Sequence, residues 1–336
     1  MSQKAAPRAT VIIPNHNGEK LLPTCLDSLA GQSCRNFAIL VVDNGSTDGS
    51  LRLLNDRYPH VEVLRFDENR GFAAAVNAGI ARTGSELIAL LNNDTEVHPE
   101  WLGGLVAALD RRPDVAFCAS KMIDFTDRSV IDSVGNCYAR NGRSIPRGFL
   151  ERDAGRYGKE EEVFGACAGA ALYRRSLFEE IGLFDERLVS YKEDVDLDFR
   201  AQLRSLRCLY VPSAICYHVG GATTGRRKSD PAVRFSTRNS VTVFVKNMPA
   251  KLLPGALPRL LFDLLFQLAY QVLRGRQAGP FIRGLFGAVV HLPHAVRERR
   301  RIQASARFDL AYLKRLLHEG DVEVRRYRRR CRIETD

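Results

Sequence analysis

Two stretches of this 336-residue sequence place side chains in patterns that could do chemistry. The first, Leu90-Leu91-Asn92-Asn93-Asp94, closes the apolar run Glu86 to Leu91 with two amides and a carboxylate. A buried strand that ends this way leaves its polar groups at the C-terminal edge of a sheet, where open α/β sheets bind ligands. One carboxylate flanked by amides is an oxygen-donor set for a hard divalent cation, Mg2+ or Mn2+. As an isolated tripeptide it is equally an ordinary turn. The second stretch is Lys192-Glu193-Asp194-Val195-Asp196-Leu197-Asp198-Phe199-Arg200. Val195, Phe199, Leu203 and Leu206 recur at helical spacing, which predicts a helix starting near Glu193 with one face buried. Asp194 and Asp198 then share a face. Acidic residues stabilise a helix N-terminus, but three in four positions repel one another, an arrangement that makes sense if one of them works as a base.

These groups need elements to hold them. Thr10 to Pro14, Phe37 to Val42, Val61 to Phe66 and Glu86 to Leu91 read as strands. Helical patterns lie between them, from Leu21 to Leu29, from Leu51 and from Ala73 to Ala81. Such alternation predicts βαβ units around a parallel sheet, with right-handed connections that bring the loops Asn15–Gly18, Asp43–Asp48, Asp67–Gly71 and Asn92–Asp94 to one edge. Glycines in the first three let backbone approach a ligand. Asp43 suits a base or ribose, or else caps its own turn. There is no GxGxxG after the first strand and no GxxxxGK[ST], so the dinucleotide and P-loop fingerprints are missing. Farther on, Val115 to Ser120 and Val163 to Tyr173 read as strands, 124–162 as loop excursions, and Leu209 to Pro212 as a strand leading to Ile215-Cys216-Tyr217-His218 and Gly220-Gly221.

Composition bounds the class. The chain is 45% hydrophobic and 26% charged, as in globular proteins. Met1 to Arg8 lacks the apolar core of a secretory signal. Eight cysteines, among them Cys118 and Cys331, are scattered without a CxxC pair, which predicts reduced thiols in a cytoplasmic protein. Residues 1–245 hold 31 Lys and Arg against 31 Asp and Glu, whereas 246–336 hold 19 against 8. The whole excess of +11 therefore sits at the end of the chain, and its partner should be anionic.

In Leu257 to Arg274 the polar residues Arg259, Asp263, Gln267, Gln271 and Arg274 form one narrow stripe. The apolar part is about 22 Å long, short of a bilayer's hydrocarbon core of about 30 Å, and fits a helix lying in a membrane interface. Phe281 to Leu292 and Phe308 to Leu317 are further amphipathic pieces, bordered by Arg297-Glu298-Arg299-Arg300-Arg301 and Arg325-Arg326-Tyr327-Arg328-Arg329-Arg330. A helical subdomain or a dimer interface is the alternative. The basic residues border apolar helices instead of aromatic base-reading motifs, which argues against nucleic acid. Asn15–Lys20 is a poor triphosphate loop for a nucleotidyltransferase.

The ordered set Val-Ile-Ile-Pro-Asn-His-Asn-Gly (11–18), Val-Val-Asp-Asn-Gly-Ser-Thr-Asp-Gly-Ser (41–50), Asn-Arg-Gly-Phe-Ala-Ala-Ala-Val-Asn-Ala-Gly (69–79) and Leu-Leu-Asn-Asn-Asp (90–94) resembles family 2 glycosyltransferases. Gly-Leu-Phe-Asp-Glu (182–186), Tyr-Lys-Glu-Asp-Val-Asp-Leu (191–197) and Pro-Ser-Ala-Ile-Cys-Tyr-His (212–218) extend the match over residues 9 to 248. In detail it looks like the rhamnosyltransferases and galactofuranosyltransferases of cell-envelope polysaccharide synthesis. The resemblance implies an α/β fold of GT-A type, with a mostly parallel central sheet flanked by helices, over 1–248. A helical, basic, membrane-associating extension would follow over 249–336. It implies inverting transfer of a sugar, rhamnose-like, from a dTDP- or UDP-sugar to a glycan or polyprenyl-linked acceptor on the cytoplasmic face of the inner membrane. By position, Pro14, Asn15, Asn17, Asp43, Asn69, Gly71, Asn77 and Asn93 would hold the nucleotide-sugar, with Asp43 on the base. Asp94, Asn92 and His218 would hold Mg2+ or Mn2+, with Asp94 the metal-binding member of the family's Asp-x-Asp motif. Asp194 would be the catalytic base, with Glu193 beside it. Asn92 stands where many members have Asp, so the metal shell carries one negative charge fewer.

Overall fold

In a computed structural model of the chain, residues 7–220, 229–273 and 277–333 are described, the side chains of 331–333 apart. Of the positions named above, Met1, Gly221, Arg274 and the side chain of Cys331 lie outside these. The first half follows the periodicity. Strands β1 (Ala9–Asn15), β2 (Phe37–Asn44), β3 (Glu62–Phe66) and β4 (Leu87–Leu91) alternate with helices α1 (Leu22–Ala30), α2 (Ser50–Arg57) and α3 (Phe72–Arg82). All four strands are parallel, in the order β3-β2-β1-β4. The chain thus reverses its direction of winding at β1, the switch point beside which open sheets bind ligands.

The rest of the chain widens this sheet. Next come β5 (Thr95–Val97), α4 (Trp101–Arg111), β6 (Val115–Asp124), β7 (Ile131–Ser133), β8 (Asn136–Tyr138), β9 (Ser144–Pro146), β10 (Glu161–Val163) and β11 (Ala170–Arg174). Helices α5 (Arg175–Ile181) and α6 (Glu193–Gln202), strand β12 (Arg207–His218) and helix α7 (Asp230–Asn247) follow. Antiparallel β11 joins β4 to β6, and the described residues form a ten-stranded sheet beside a separate β8–β9 hairpin. One face is packed by α1 and α4 through Leu26, Trp101 and Leu105, the other by α3, α5 and α6 through Val76, Phe178 and Leu197.

Two expectations change. Residues 124–162 are not merely loop excursions: they contain β7, β8, β9 and the start of β10. Val163 to Tyr173 is not one strand, because the chain turns between β10 and β11 to let other groups approach. A Cβ on Gly165 would lie 1.9 Å from Asp198 Cγ, so only glycine admits that carboxylate.

The C-terminal region forms α8 (Leu253–Leu273), α9 (Ala278–Ser305) and α10 (Leu310–Ile333). Leu260, Ile302, Leu313 and Leu317 share a core with Tyr138, Val195 and Phe199 of the body. The helical stretch is longer than its apolar stripe suggests: Ala250–Leu273 is 24 residues, with a mean hydropathy of 1.4 over its most apolar window. At about 36 Å it has the length and composition to cross a membrane. The middle of its polar stripe turns inward, whereas Arg259 stays exposed. Asp263 is 3% exposed, whereas Phe262 and Leu265 are 71% and 67% exposed.

Candidate active site

Three loops at the switch point lock together. Asn93 Nδ2 donates to Asn15 Oδ1 (2.7 Å), and Asn15 Nδ2 donates to Asp43 Oδ1 (3.1 Å). Asp43 Oδ2 accepts from the Ser46 backbone N–H at 3.1 Å. Asn44 plays a similar part next door, holding Asn69 and the Arg70 N–H at 3.1 and 2.8 Å. The result is one wall of a cavity of about 590 Å³, lined here by Pro14, Asn15, Asn69, Gly71 and Asn93.

Three residues expected in that wall stand elsewhere. Asp43 is fully buried one layer behind, orienting Asn15. Asn17 is exposed, and its Oδ1 caps the next loop by accepting from Thr47 N–H at 2.8 Å. Asn77 ties α3 to the segment before α6, donating to Phe184 O and Glu186 Oε1, each at 3.0 Å. Asn77 is not among the residues that line the cavity.

On the next wall, β5 pairs antiparallel with β12, setting Thr95 opposite His218. That register brings Asp94 and His218 together, and both line the cavity with Asn92. His218 Nε2 lies 3.3 Å from Asp94 Oδ1 and 3.3 Å from Asn92 Nδ2. Its Nδ1 lies 2.8 Å from Asp132 Oδ2. Burial disfavours the charged imidazole, but the bonds to Asp132 and Asp94 outweigh it and push the pKa up to about 10.

These residues fit a divalent cation. Two adjacent donors, each about 2.0–2.1 Å from an octahedral ion, stand about 3 Å apart, close to the Asp94–His218 separation. Rotating the Asn92 amide turns its oxygen toward the same point. Asp132 would fix the imidazole from behind, as carboxylates do for metal-bound histidines. Among the described residues no three His, Cys, Asp or Glu side chains converge on one point. The shell would be completed by diphosphate oxygens and water, the usual company of Mg2+.

The acids of α6 fall into distinct roles. Asp196 faces away, fully buried against Lys246 Nζ (2.9 Å), Arg200 Nε (2.9 Å) and Asn247 Nδ2 (2.8 Å). Burial alone would raise its pKa, but Lys246 and Arg200 hold it below the ordinary carboxylate value. Asp198 accepts from Ala166 N–H at 3.1 Å and from Asn136 Nδ2 at 2.8 Å. Burial and the charge of Asp194 keep its pKa well above normal. Glu193 is pushed up to about 8 by the same two causes. Asp194 and Glu193 both line the cavity, and Asn136 Nδ2 reaches Asp194 Oδ2 at 3.2 Å.

The approach to α6 is strained. Val189, Tyr191 and Lys192 have φ of 64°, 69° and 72°, and a β-branched residue there is a genuine outlier. Buried Asn239 of α7 holds this loop, its Nδ2 within 2.9, 3.0 and 2.7 Å of the carbonyls of Leu188, Ser190 and Tyr191. From the other side the loop presses on Gly71, where a Cβ would meet Val189 O at 2.8 Å. Such strain, held by its surroundings, clusters at active sites.

The sequence profile of glycosyl transferase family 2 matches residues 10–182. The chain belongs to glycosyltransferase family 2. The N-acetylglucosaminyl-diphospho-decaprenol L-rhamnosyltransferase of Mycobacterium tuberculosis (strain ATCC 25618 / H37Rv) is 32% identical over an alignment of length 244 that covers 65% of this glycosyltransferase and 76% of the relative. Staphylococcal TarS bound to UDP-GlcNAc superposes with a TM-score of 0.57 at 20% identity, covering 94% of this chain and 88% of the other. The mannosyltransferase PcManGT from Pyrobaculum calidifontis, with GDP-Man and Mn2+, gives a TM-score of 0.52 at 19% identity, covering 90% and 86%. The fold of this glycosyltransferase is thus of GT-A type.

Asp132, Asn136 and Asn239 escaped the sequence reading. The first two lie in the stretch read as loop. For Asn239 a signal existed in spacing: Arg238, Asn239, Thr242, Lys246 and Asn247 recur at helical intervals, and the structure buries all five, as in a structured polar network.

Proposed function

We propose that this glycosyltransferase moves a sugar, rhamnose-like, from a dTDP- or UDP-linked donor to a hydroxyl of a lipid-linked glycan, with inversion at the anomeric carbon. The observation that carries the reading is that Asp94 with His218, and Asp194 with Glu193, open on one cavity. Pro14, Asn15, Asn69, Gly71 and Asn93 would hold the nucleotide, with Asp43 orienting Asn15. Mg2+ or Mn2+ bound by Asp94, His218 and Asn92 would neutralise charge developing on the departing diphosphate.

Asp194 takes the proton of the acceptor hydroxyl as its oxygen bonds to the anomeric carbon and the bond to the nucleotide diphosphate breaks. Glu193, largely protonated at neutral pH, sits beside it without adding a second full charge. A proton-NMR assay of the product made from a donor of known anomeric configuration tests the reading: a product of the opposite configuration supports it, and one of the same configuration refutes inversion.

From about residue 248 the chain passes from the transferase body to a membrane-associating region, 249–336, which packs on that body and lends Asp263 and Gln267 to the lining of the same cavity. Leu261, Phe262 and Leu265 of α8 and Phe286 and Val290 of α9 are exposed, as are Arg297, Arg300, Arg325 and Arg329. Apolar surface beside arginines suits an anionic leaflet, each Arg contributing about 1 kcal/mol. The protein would then be peripheral on the cytoplasmic face of the inner membrane. The double variant Phe262→Asp, Phe286→Asp should release it from anionic vesicles in a sedimentation assay; unchanged sedimentation would contradict this placement.

A further inference from the structure

Beyond the base, the cavity runs into a region built by the β8–β9 hairpin, α8 and α10, whose lining includes Asn141, Arg143, Asp263, Gln267 and Tyr327. Asp263 is the sole acid of α8. Four donors converge on it: Asn141 Nδ2 (3.1 Å) and Arg328 (2.6 Å) on Oδ1, Arg143 Nε (2.7 Å) and Gln267 Nε2 (2.7 Å) on Oδ2. So saturated, this carboxylate is poorly placed to move a proton. It orients arginines instead.

Arg143 is held through Nε alone, which leaves its two terminal nitrogens without a partner among the described residues, on a residue that lines the cavity. The charges nearby do not balance. Asp263 holds Arg143 and Arg328, and Asp321 holds Arg140 at 2.6 Å and Arg259 at 3.5 Å. Of these groups Arg143 and Asp263 line the cavity, and there Asp263 is one carboxylate shared by two guanidinium groups, so this end of the cavity is cationic. A fixed guanidinium fork with open donors is the geometry that grips phosphate.

Its distance from the base is informative. The hairpin that carries Arg143 also carries Asn136, which touches Asp194. Arg143 pairs with Ala139, three residues along from Asn136, or about 10 Å of strand. That is room for one sugar ring between a reacting hydroxyl and a phosphate on the anomeric oxygen. The outer side of α8 exposes Leu261, Phe262 and Phe266.

We infer that Arg143, oriented by Asp263 and flanked by Arg328, is the phosphate subsite for the acceptor. The acceptor is then a sugar joined through phosphate to an apolar chain, with its sugar hydroxyl at Asp194, its phosphate on Arg143 and its chain along α8. The inference rests on the glycosyl-transfer reading above.

The test uses the full chain and two acceptors bearing the same sugar, a diphosphate ester of a short isoprenol and an octyl glycoside. The wild type should show a KM for the diphosphate ester at least roughly ten-fold lower. Arg143→Gln should raise that KM roughly ten- to hundred-fold, the scale of a charged hydrogen bond, leave the donor KM in place and erase the preference. Arg143→Lys keeps the charge without the fork and should retain part of the preference; an unchanged ratio in both variants overturns the subsite. Equal losses on both acceptors in Arg143→Gln, together with a raised donor KM, also overturn it by showing a merely structural role. Wild-type transfer to both acceptors with equal KM overturns the subsite alone. Donor hydrolysis with transfer to neither would instead bring down the acceptor reading on which it rests.

Discussion

Replacing Asn239 by Ala tests how the base is positioned. Its amide has two hydrogens and three carbonyl acceptors within 3.0 Å, those of Leu188, Ser190 and Tyr191, so two full bonds are shared among three oxygens. The side chain is fully buried, and water does not easily replace it. Two lost bonds at about 1 kcal/mol each, with carbonyls left unpaired, give a cost of about 2–4 kcal/mol. The same bonds restrain Val189, Tyr191 and Lys192 in their left-handed conformations, each of which costs about 1–3 kcal/mol to hold. Once released, the loop should relax and carry Glu193 and Asp194 with it. Calorimetry should show a Tm lower by several degrees, and steady-state kinetics a fall in kcat larger than any rise in donor KM, because Asn15, Asn69 and Asn93 lie on other elements and Gly71 is the donor-wall residue that the loop touches. A Tm within one degree of wild type with unchanged kcat would refute this reasoning. So would a donor KM that rises in step with the fall in kcat, since the damage would then not be confined to the base.

Asp132→Asn removes the charge behind His218 and should raise the Mg2+ or Mn2+ concentration for half-maximal activity roughly ten- to hundred-fold; an unshifted metal titration would remove Asp132 from the site. Glu193 has a folded pKa of about 8 against an ordinary 4.5, so folding favours its protonated form. That contribution is full below about pH 4.5 and is lost as pH rises through 8. Glu193→Gln, which stays neutral, should therefore raise Tm relative to wild type at pH 8 and make little difference at pH 4.5; parallel Tm profiles would contradict the assignment. Lys246→Met leaves Asp196 and Asp185 buried without their shared cation and should cost about 3–5 kcal/mol, read as a lowered denaturation midpoint; an unaltered midpoint would show that the network does not hold α6 to α7.

The parts of the fold that could be read in the sequence are those with strong local periodicity. Continuous apolar runs broken by Gly and Asn disclosed β1 to β4, and with them the edge where Asn15, Asn93 and Asp94 meet. The helix at Glu193 was equally legible, as was the shared face of Asp194 and Asp198, which both bond to Asn136. The remainder depends on contacts between distant residues. Asp132 matters because β12 folds back to place His218 beside it, 86 positions away, and no spacing encodes that. Asn77 and Asn17 are polar residues in suggestive motifs, yet tertiary packing uses their amides to fasten segments together. The polar stripe of α8 was visible, but its direction was not: an amphipathic pattern says which residues share a face, and only the partners Arg143 and Arg328 show that Asp263, at its middle, points inward.

The central claim is that Asp194 is the base at a site whose donor-binding wall is separate from it. The most direct measurement is the single-turnover rate of Asp194→Asn together with its affinity for the donor nucleotide. The rate should fall roughly 10²- to 10⁴-fold, the contribution of a positioned general base, while nucleotide affinity stays at the wild-type value. A variant that turns over at near the wild-type rate, with the nucleotide bound as before, would contradict the account.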